Sequence, residues 1–315
     1  MPLLTPEILI AVSGSLSVCA CLGMVVCFFF FEESRRCGRR LLFCLHLTDL
    51  VGSLAWLLTL LPCIAAPSLH SATPLLCFLQ GYALLFCSLS SYVWTSCFAF
   101  HLYQIMWKQN KTPEMYEVRY LLLAWGLPSL IVMAFGVQHA CGFVLVGFGG
   151  LPWCWIRSWS RGQWSADGFI LQMVFFYTPL ACAALFNLTM FVFLASKLGS
   201  ASAVMSTTME DKVRRRMMAY IGVFLLTSVW GALGRTFQVI SPGHELSPVF
   251  LTLTALFSPL QGLLNCIVYG FNSTLRSRLW SSARHRLKRT DQTVPPIVGD
   301  QRRPLLIRNQ VKAHR

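Results

Sequence analysis

Seven long apolar runs divide this chain, and they constrain its fold more than any other feature. Each run has the roughly 20 mostly apolar residues that a helix needs to cross a bilayer core of about 30 Å. Only 12% of the 315 residues are charged, against about 25% in a soluble domain. We therefore predict an all-α polytopic membrane protein, a seven-transmembrane helix bundle, with runs at residues 7–31, 41–66, 75–107, 119–138, 168–194, 217–240 and 248–271.

The basic residues fall on one side of this predicted bundle. Of the 26 Lys and Arg residues, 23 lie in segments 32–40, 108–119, 195–216 and 272–315. Because cytoplasmic loops carry the excess of Lys and Arg, we expect an extracellular N-terminus and a cytosolic C-terminus. We also expect the plasma membrane as the location, although the charge pattern does not distinguish it from an internal membrane. The net charge of +14 then indicates topology and contact with anionic inner-leaflet lipids, and we expect no nucleic-acid partner.

The chain organises into four segments. We expect an extracellular N-terminus at 1–6, the bundle at 7–271, an amphipathic cytosolic helix at 272–289 and a disordered basic tail at 290–315. Segment 272–289 is basic with interspersed leucines, a pattern typical of a helix that lies on the inner leaflet. Most of the 13 cysteines lie inside apolar runs, where cysteine behaves as a small hydrophobe.

Polar side chains in the last run form one stripe. Gln261, Asn265 and Tyr269 are spaced four residues apart, so they share a helix face that must look into the bundle. Pro259 and Gly262 allow the helix to bend there. Two interpretations stay open: the stripe is polar packing between helices, or it is an element with two arrangements that repacks on activation.

Asp49 is the single acidic residue in the middle of an apolar run. An intramembrane acid is costly and marks a functional candidate. It is either a neutral acid that hydrogen-bonds a neighbouring helix, or a cation or proton switch at the centre of the bundle. His46, one turn before it, is expected near the cytosolic interface.

Three features define the extracellular side of the prediction. Arg235 either extends its guanidinium out to the interface or points into a pocket that would favour an anionic ligand. Because the outside is oxidising, Cys77 at the start of run three is expected to pair with Cys154, with Cys141 as the competing partner. The tryptophans of the loop 139–167 are either an interfacial belt or the lid of a pocket.

Several short motifs resemble one receptor group. These are "AWGLPSL" with Trp125, Gly126 and Pro128, "PLQGLLNCIVYGF" in run seven, "CFLQGYALLFCSLSSYVWT" in run three, "LPWCWI" in the long loop and "LHLTDL" in run two. Together they resemble the cyclic-AMP-receptor-like and secretin-related group of G-protein-coupled receptors.

Two departures separate the chain from other receptor classes. The Asp/Glu-Arg-Tyr triplet of rhodopsin-type receptors is missing after run three, and Cys266 stands where their seventh helix has proline. A hormone-binding ectodomain is not expected either, since about six residues precede run one.

The resemblance implies a receptor that couples an unknown extracellular ligand to a heterotrimeric G protein. It implies a G-protein-facing surface at the cytosolic ends of runs three and six, made of His101, Tyr103, Arg214, Arg215 and Arg216. The candidate pocket residues are Arg235 and Trp155. We expect no enzymatic activity, cofactor or metal.

Three alternatives compete with this interpretation. A receptor-like scaffold that no longer signals fits the missing triplet. A zinc hydrolase would need three protein ligands, for which the runs offer only His46, Asp49 and His101. A retinal protein is excluded because run seven has no lysine for a Schiff base.

Overall fold

The computed structural model describes residues 5–30, 37–61, 73–143, 145–147, 151–160, 163–200, 208–240 and 246–270. The predicted amphipathic helix 272–289 and the tail 290–315 lie outside the described residues.

Helices account for nearly all of the described chain. They are α1 (Pro6–Phe30), α2 (Cys37–Leu57, continued by the turn Leu58–Leu60), α3 (Thr73–Met106), α4 (the short 3-10 segment Pro113–Tyr116, then Glu117–Leu121, Leu122–Gly126 and Leu127–Ala140), α5 (Ala166–Gln172, Met173–Tyr177 and Thr178–Ser200), α6 (Thr208–Ile240) and α7 (Pro248–Phe257, then Gln261–Asn265 and Cys266–Gly270).

Two of these helices contain a wide π-type turn directly before a proline. The turn Leu122–Gly126 precedes Pro128, and the turn Met173–Tyr177 precedes Pro179. Proline has no backbone N–H and its ring collides with a carbonyl one turn earlier. The wide turn accommodates that ring, so α4 and α5 continue through their prolines.

Among the described residues, five helices are long and apolar enough to cross a bilayer. A sixth span is counted if the two halves of α7, which meet at 48°, form one span. The sixth predicted run, 217–240, lies within α6. Large apolar side chains point away from the bundle, including Phe30, 78% exposed, on α1 and Leu185, 67% exposed, on α5, as expected of a lipid-facing surface. The all-α polytopic prediction is confirmed.

α3 lies at the centre of the described bundle and packs against α2, α4, α5 and α6. α7 closes the bundle between α6 and α1 and also touches α2. We call the end at which α3, α5 and α7 begin the lid end, and the end at which α2, α4 and α6 begin the basic end.

Two apolar clusters lie along α3. One, at the lid end, includes Leu84, Leu85, Tyr92, Phe135 and Phe176. The other, toward the basic end, gathers residues of α2, α3 and α4 around the fully buried ring of Trp94. The polar site described below lies between side chains of α2, α3 and α7.

Two short hairpins lie at the lid end between α4 and α5. β1 (Val146–Gly147) pairs antiparallel with β2 (Trp155–Ile156), and β3 (Trp159–Ser160) pairs antiparallel with β4 (Gln163–Trp164). The first hairpin approaches α3 closely, because a Cβ on Gly81 would lie only 2.2 Å from Val146 Cγ1. Glycine at this position therefore lets the hairpin rest on the bundle.

Candidate functional site

A disulfide bond ties the loop at the lid end to α3. Cys77 and Cys154 are bonded, with Cα atoms 5.3 Å apart, whereas Cys141 is exposed and free. Beside the bond, Gln80 Oε1 accepts a hydrogen bond of 3.1 Å from the backbone N–H of Cys154. Gln80 Nε2 donates to Thr59 Oγ1 at 2.7 Å. The loop is thereby held to both α3 and the end of α2.

Two tryptophans of this loop pack into the bundle. Trp153 meets Trp56 of α2 edge to face at 5.0 Å, and Trp155 meets Phe176 of α5 at 4.8 Å. Both loop side chains are buried. The interfacial-belt interpretation is therefore wrong for these two residues, which pack inward; we refer to the pair as the lid.

Beneath the lid lies a cavity that is open at its mouth. It extends from Trp155 and Arg235 under the loop to Asp49 and Gln261 inside the bundle. Its wall combines apolar rings with hydroxyl groups, the mixture that small-molecule sites use for affinity and orientation. The polar and charged side chains on the wall are Thr48, Asp49, Ser53, Ser88, Tyr92, Tyr177, Thr227, Ser228, Arg235, Thr254, Ser258 and Gln261.

Arg235 is buried in the wall of this cavity. Its side chain is 5% exposed, and its Nη1 donates to Gln238 Oε1 at 2.6 Å and to Ser158 Oγ at 3.3 Å. Both of these acceptors are uncharged groups. The interpretation that Arg235 extends outward to the interface is wrong, because two neutral acceptors retain it inside.

Asp49 is the centre of a hydrogen-bond network between three helices. Its Oδ1 accepts from Ser91 Oγ of α3 at 2.9 Å, and its Oδ2 accepts from Asn265 Nδ2 of α7 at 2.7 Å. Gln261 Nε2, one turn earlier on α7, donates to Ser91 Oγ at 2.6 Å. Of the stripe residues, Asn265 therefore binds Asp49 directly and Gln261 is linked to it through Ser91. The side chain of Tyr269 lies outside the described set.

The bend of α7 is supported by neighbouring helices. The break at residues 258–260 frees backbone groups, and Ser17 of α1 binds two of them: its Oγ donates to the Pro259 carbonyl at 2.6 Å and accepts from the Leu263 N–H at 3.1 Å. On the other side, Ser258 Oγ donates to the Thr227 carbonyl of α6 at 3.2 Å. The bend predicted from Pro259 and Gly262 is present, and it contacts both α1 and α6.

The helix-four motif joins α4 to α2. Trp125 Nε1 donates to Thr48 Oγ1 at 3.1 Å, and the Trp125 ring meets Trp94 of α3 edge to face at 5.5 Å. Pro128 is fully buried, and a Cβ on Gly126 would meet nothing within 4 Å. Trp125 therefore anchors α4 close to Asp49, one residue along α2 from Thr48.

The residues expected to face a G protein divide into three cases. His101 is 3% exposed and packs beside Gly38 of α2 and Tyr120 of α4. It does not present its ring to the basic end, because these two helices cover it. Tyr103 is half-buried and stacks on Trp107. The backbone of Arg214–Arg216 belongs to α6, but their side chains lie outside the described set.

The ligand set weighed for a zinc hydrolase is not assembled as expected. Both carboxylate oxygens of Asp49 accept hydrogen bonds within the network, and His101 packs beside Gly38 and Tyr120. His46 is 2% exposed and therefore lies buried among the helices, while its place near the cytosolic interface stays a prediction. Its Nδ1 lies 3.5 Å from Cys266 Sγ.

Sequence reasoning missed the residues that complete this site. Ser17, Ser91 and Gln80 were not singled out, although each is a polar residue in an apolar segment. Small polar residues in transmembrane helices favour helix contacts, and this signal could have nominated them. Their partners depend on helix rotation, which the one-dimensional pattern does not contain.

Comparisons with known proteins place the chain among receptors. Residues 4–289 match the family model described as slime mold cyclic AMP receptor. The chain is 28% identical over 277 residues to G-protein coupled receptor 1 of Arabidopsis thaliana, covering 84% of this chain and 77% of that relative.

Two further relatives carry related names. Cyclic AMP receptor-like protein A of Dictyostelium discoideum is 24% identical over 260 residues, which cover 82% of this chain and 62% of the relative. G-protein coupled receptor 157 of Homo sapiens is 24% identical over 274 residues, covering 80% and 76%. The match thus spans less than two thirds of the Dictyostelium relative. Because the family model covers well over half of the chain, this receptor-like, multi-pass membrane protein belongs to the slime mold cyclic AMP receptor family.

Proposed function

We propose that this protein is a cell-surface receptor that couples an extracellular ligand to a heterotrimeric G protein. In this proposal the lid end faces outward at the plasma membrane and the basic end faces the cytosol. The distribution of Lys and Arg supports this orientation. The names of the relatives support the receptor class.

One observation carries the proposal. A single cavity connects the lid at Trp153 and Trp155 with the network at Asp49 and Gln261. A ligand that enters the mouth of the cavity can therefore affect the positions of the residues that link α2, α3 and α7. The network adjoins the bend of α7. At this bend, Ser258 Oγ donates a hydrogen bond to the Thr227 carbonyl of α6. The contacts form a continuous path from the lid to the helix that begins at the basic end.

The ligand that fits this cavity best is a small anion with an apolar or aromatic body. Arg235 supplies a buried cation on the wall, and its guanidinium geometry suits phosphate and carboxylate groups. Trp155 and Phe176 supply ring surfaces beside it. Cyclic AMP, which the names of several relatives contain, has one phosphate charge and a purine ring, so it is the first ligand to test.

We expect activation to shift α7 about its bend. A ligand that binds one arrangement of the Asp49 network better than another shifts the population toward that arrangement. Movement of α7 would pull on Thr227 of α6 through Ser258. The basic start of α6, Arg214–Arg216, would then move at the cytosolic face, where we also expect contact with anionic lipids.

Agonist-independent activation of G proteins tests the coupling. A subunit-dissociation sensor would compare wild type with a variant in which Arg214, Arg215 and Arg216 are alanine. The matched control removes three arginines from the tail (Arg302, Arg303 and Arg308). Basal activity with one G-protein family that disappears only in the α6 variant supports a receptor and identifies its transducer.

The opposite result has a definite meaning. If no G-protein family responds at normal surface expression, with or without cyclic AMP, the coupling proposal fails. The chain would then be better described as a receptor-like scaffold that does not signal.

A further inference from the structure

We propose that Cys21, His46 and Cys266 form a zinc-binding site inside the bundle, on the side of the Asp49 network toward the basic end. The three side chains come from α1, α2 and α7. Their potential ligand atoms, two thiol sulfurs and one imidazole nitrogen, all lie within 4.8 Å of one another. The site does not depend on G-protein coupling.

Two of the three distances within the cluster match those of a zinc site, and the third, between Cys21 Sγ and a His46 ring nitrogen, is at most 4.8 Å. Cys266 Sγ lies 3.8 Å from Cys21 Sγ and 3.5 Å from His46 Nδ1. Zinc binds sulfur at about 2.3 Å and imidazole nitrogen at about 2.0–2.1 Å in tetrahedral geometry. These bond lengths place neighbouring ligands about 3.8 Å apart for two sulfurs and about 3.5 Å for sulfur and nitrogen. One ion can thus bridge Cys266 to both partners with little movement.

Close packing of α7 on α1 brings these groups together. A Cβ on Gly262 would lie 2.8 Å from Cys21 Sγ and 3.2 Å from Ser17 Cβ, so glycine is needed for the approach. Cys266 follows Gly262 by one helical turn and therefore lies on the same face. His46 reaches the cluster from α2, and all three ligand residues are buried.

Charge selects the class of ion. Binding releases one proton from each thiol, so two thiolates and a neutral imidazole carry a charge of −2. A divalent ion makes the complex neutral, which avoids the cost of a net charge in a low-dielectric interior. A monovalent copper ion would leave one negative charge. Sulfur and imidazole ligands also disfavour magnesium and calcium, which take oxygen ligands.

The fourth zinc position would be taken by water or left open. Asp49 is one turn from His46 on α2, but both of its oxygens accept hydrogen bonds from Ser91 and Asn265. Asn265 directly precedes Cys266 on α7. A bound ion would therefore cross-link α1, α2 and α7 beside the network without taking Asp49 from it.

Metal content and cobalt spectroscopy test the site on the full chain. The protein would be purified in detergent with a reductant, exposed to a small molar excess of zinc, desalted and measured for bound metal. Replacement by cobalt should give sulfur-to-cobalt charge-transfer absorption and the ligand-field bands of a tetrahedral ion. We expect about one zinc per chain in wild type, and a several-fold loss in Cys21→Ser, His46→Gln and Cys266→Ser. The matched control is Cys97→Ala, a buried cysteine outside the cluster.

Thermal denaturation provides a second readout, because an ion that binds only the folded state raises its melting temperature. Zinc should raise the melting temperature of wild type and Cys97→Ala but not of Cys266→Ser. The proposal is overturned if wild type binds no more zinc than a Cys21→Ser/Cys266→Ser double variant, or lacks thiolate-to-cobalt absorption. The wild-type spectrum decides the matter even if the variants fail to fold. A Cys21–Cys266 disulfide found by peptide mapping of the reduced preparation would likewise overturn it.

Discussion

The hydroxyl group of Ser17 donates a hydrogen bond of 2.6 Å to the carbonyl oxygen of Pro259, a residue 242 positions away in the sequence. The same hydroxyl accepts the N–H of Leu263. In a bilayer core no water is present to satisfy backbone groups that a helix break exposes. One serine of α1 therefore allows α7 to bend inside the membrane.

Ser17→Ala should destabilise the protein. The change leaves the Pro259 carbonyl and the Leu263 N–H without this partner, and an unsatisfied buried group costs about 1–3 kcal/mol. The matched control is Ser13→Ala on the same helix, because Ser13 Oγ donates to the Leu9 carbonyl of its own helix. Melting temperatures of the purified proteins should fall for Ser17→Ala and change little for Ser13→Ala. Equal shifts would contradict a role for Ser17 at the break.

Gly262→Ala should also lower the melting temperature. Its Cβ would lie 2.8 Å from Cys21 Sγ, so α1 and α7 must separate, and such overpacking costs about 1–3 kcal/mol. Gly23→Ala on α1 is the comparison, since a Cβ there would meet nothing within 4 Å. That control should be neutral or slightly stabilising, because alanine favours helix over glycine. A neutral Gly262→Ala would show that the close approach is not required.

Exchanging the side chains of Asp49 on α2 and Asn265 on α7 should restore the hydrogen bond that each single substitution removes. In Asp49→Asn, one amide N–H group must face Ser91 or Asn265, both of which donate to Asp49. In the double variant Asp49→Asn/Asn265→Asp, the amide on α2 donates to the carboxylate on α7 and still accepts from Ser91. We expect basal signalling and melting temperature to shift in each single variant and to return toward wild type in the double. Additive effects would exclude direct coupling.

Reduction of the Cys77–Cys154 bond should destabilise the lid. Removing a disulfide typically costs about 2–5 kcal/mol, more for longer loops, and this bond spans 77 positions. Cys154→Ser should lower the melting temperature and weaken ligand binding, whereas Cys141→Ser should do neither, because Cys141 is exposed and free. Reductant should affect wild type and leave Cys154→Ser unchanged.

Arg235→Gln should weaken binding of an anionic ligand without unfolding the protein. The amide keeps polar contact with Gln238 and Ser158 but removes the positive charge from the cavity wall. We expect at least a tenfold loss of affinity, in keeping with about 1.5–3 kcal/mol for a hydrogen bond to a charged group. Arg119→Gln, an exposed arginine on α4, serves as the charge-matched control. Equal ligand affinity in both variants would show that Arg235 does not contact the ligand.

Trp125→Phe tests whether the helix-four motif stabilises the contact between α4 and α2 through the hydrogen bond of Trp125 to Thr48. The change removes the bond to Thr48 Oγ1 but keeps an aromatic ring against Trp94. Hydrogen bonds between membrane helices average about 0.6 kcal/mol and reach about 1.7. The melting temperature should therefore fall slightly for Trp125→Phe and much more for Trp125→Ala. A large loss for phenylalanine would indicate a further role for the indole N–H.

The sequence by itself determined the membrane class, the apolar runs and the inward stripe at Gln261 and Asn265. These features follow from properties that act along one segment: a helix must satisfy its own backbone in lipid, and residues four apart share a face. The bend at Pro259 was predictable for the same reason, because a proline ring acts on the turn before it.

Only the tertiary structure decided which side chains meet. Arg235 is buried beside Gln238, and Ser17 hydrogen-bonds the backbone at the break in α7. Cys21 and Cys266, which the sequence presents as small apolar residues, have their sulfur atoms 3.8 Å apart. Such contacts depend on how each helix is rotated and how closely its neighbours approach. Small residues such as Gly262 allow that approach, but hydropathy along the chain does not show which neighbouring helix packs against them.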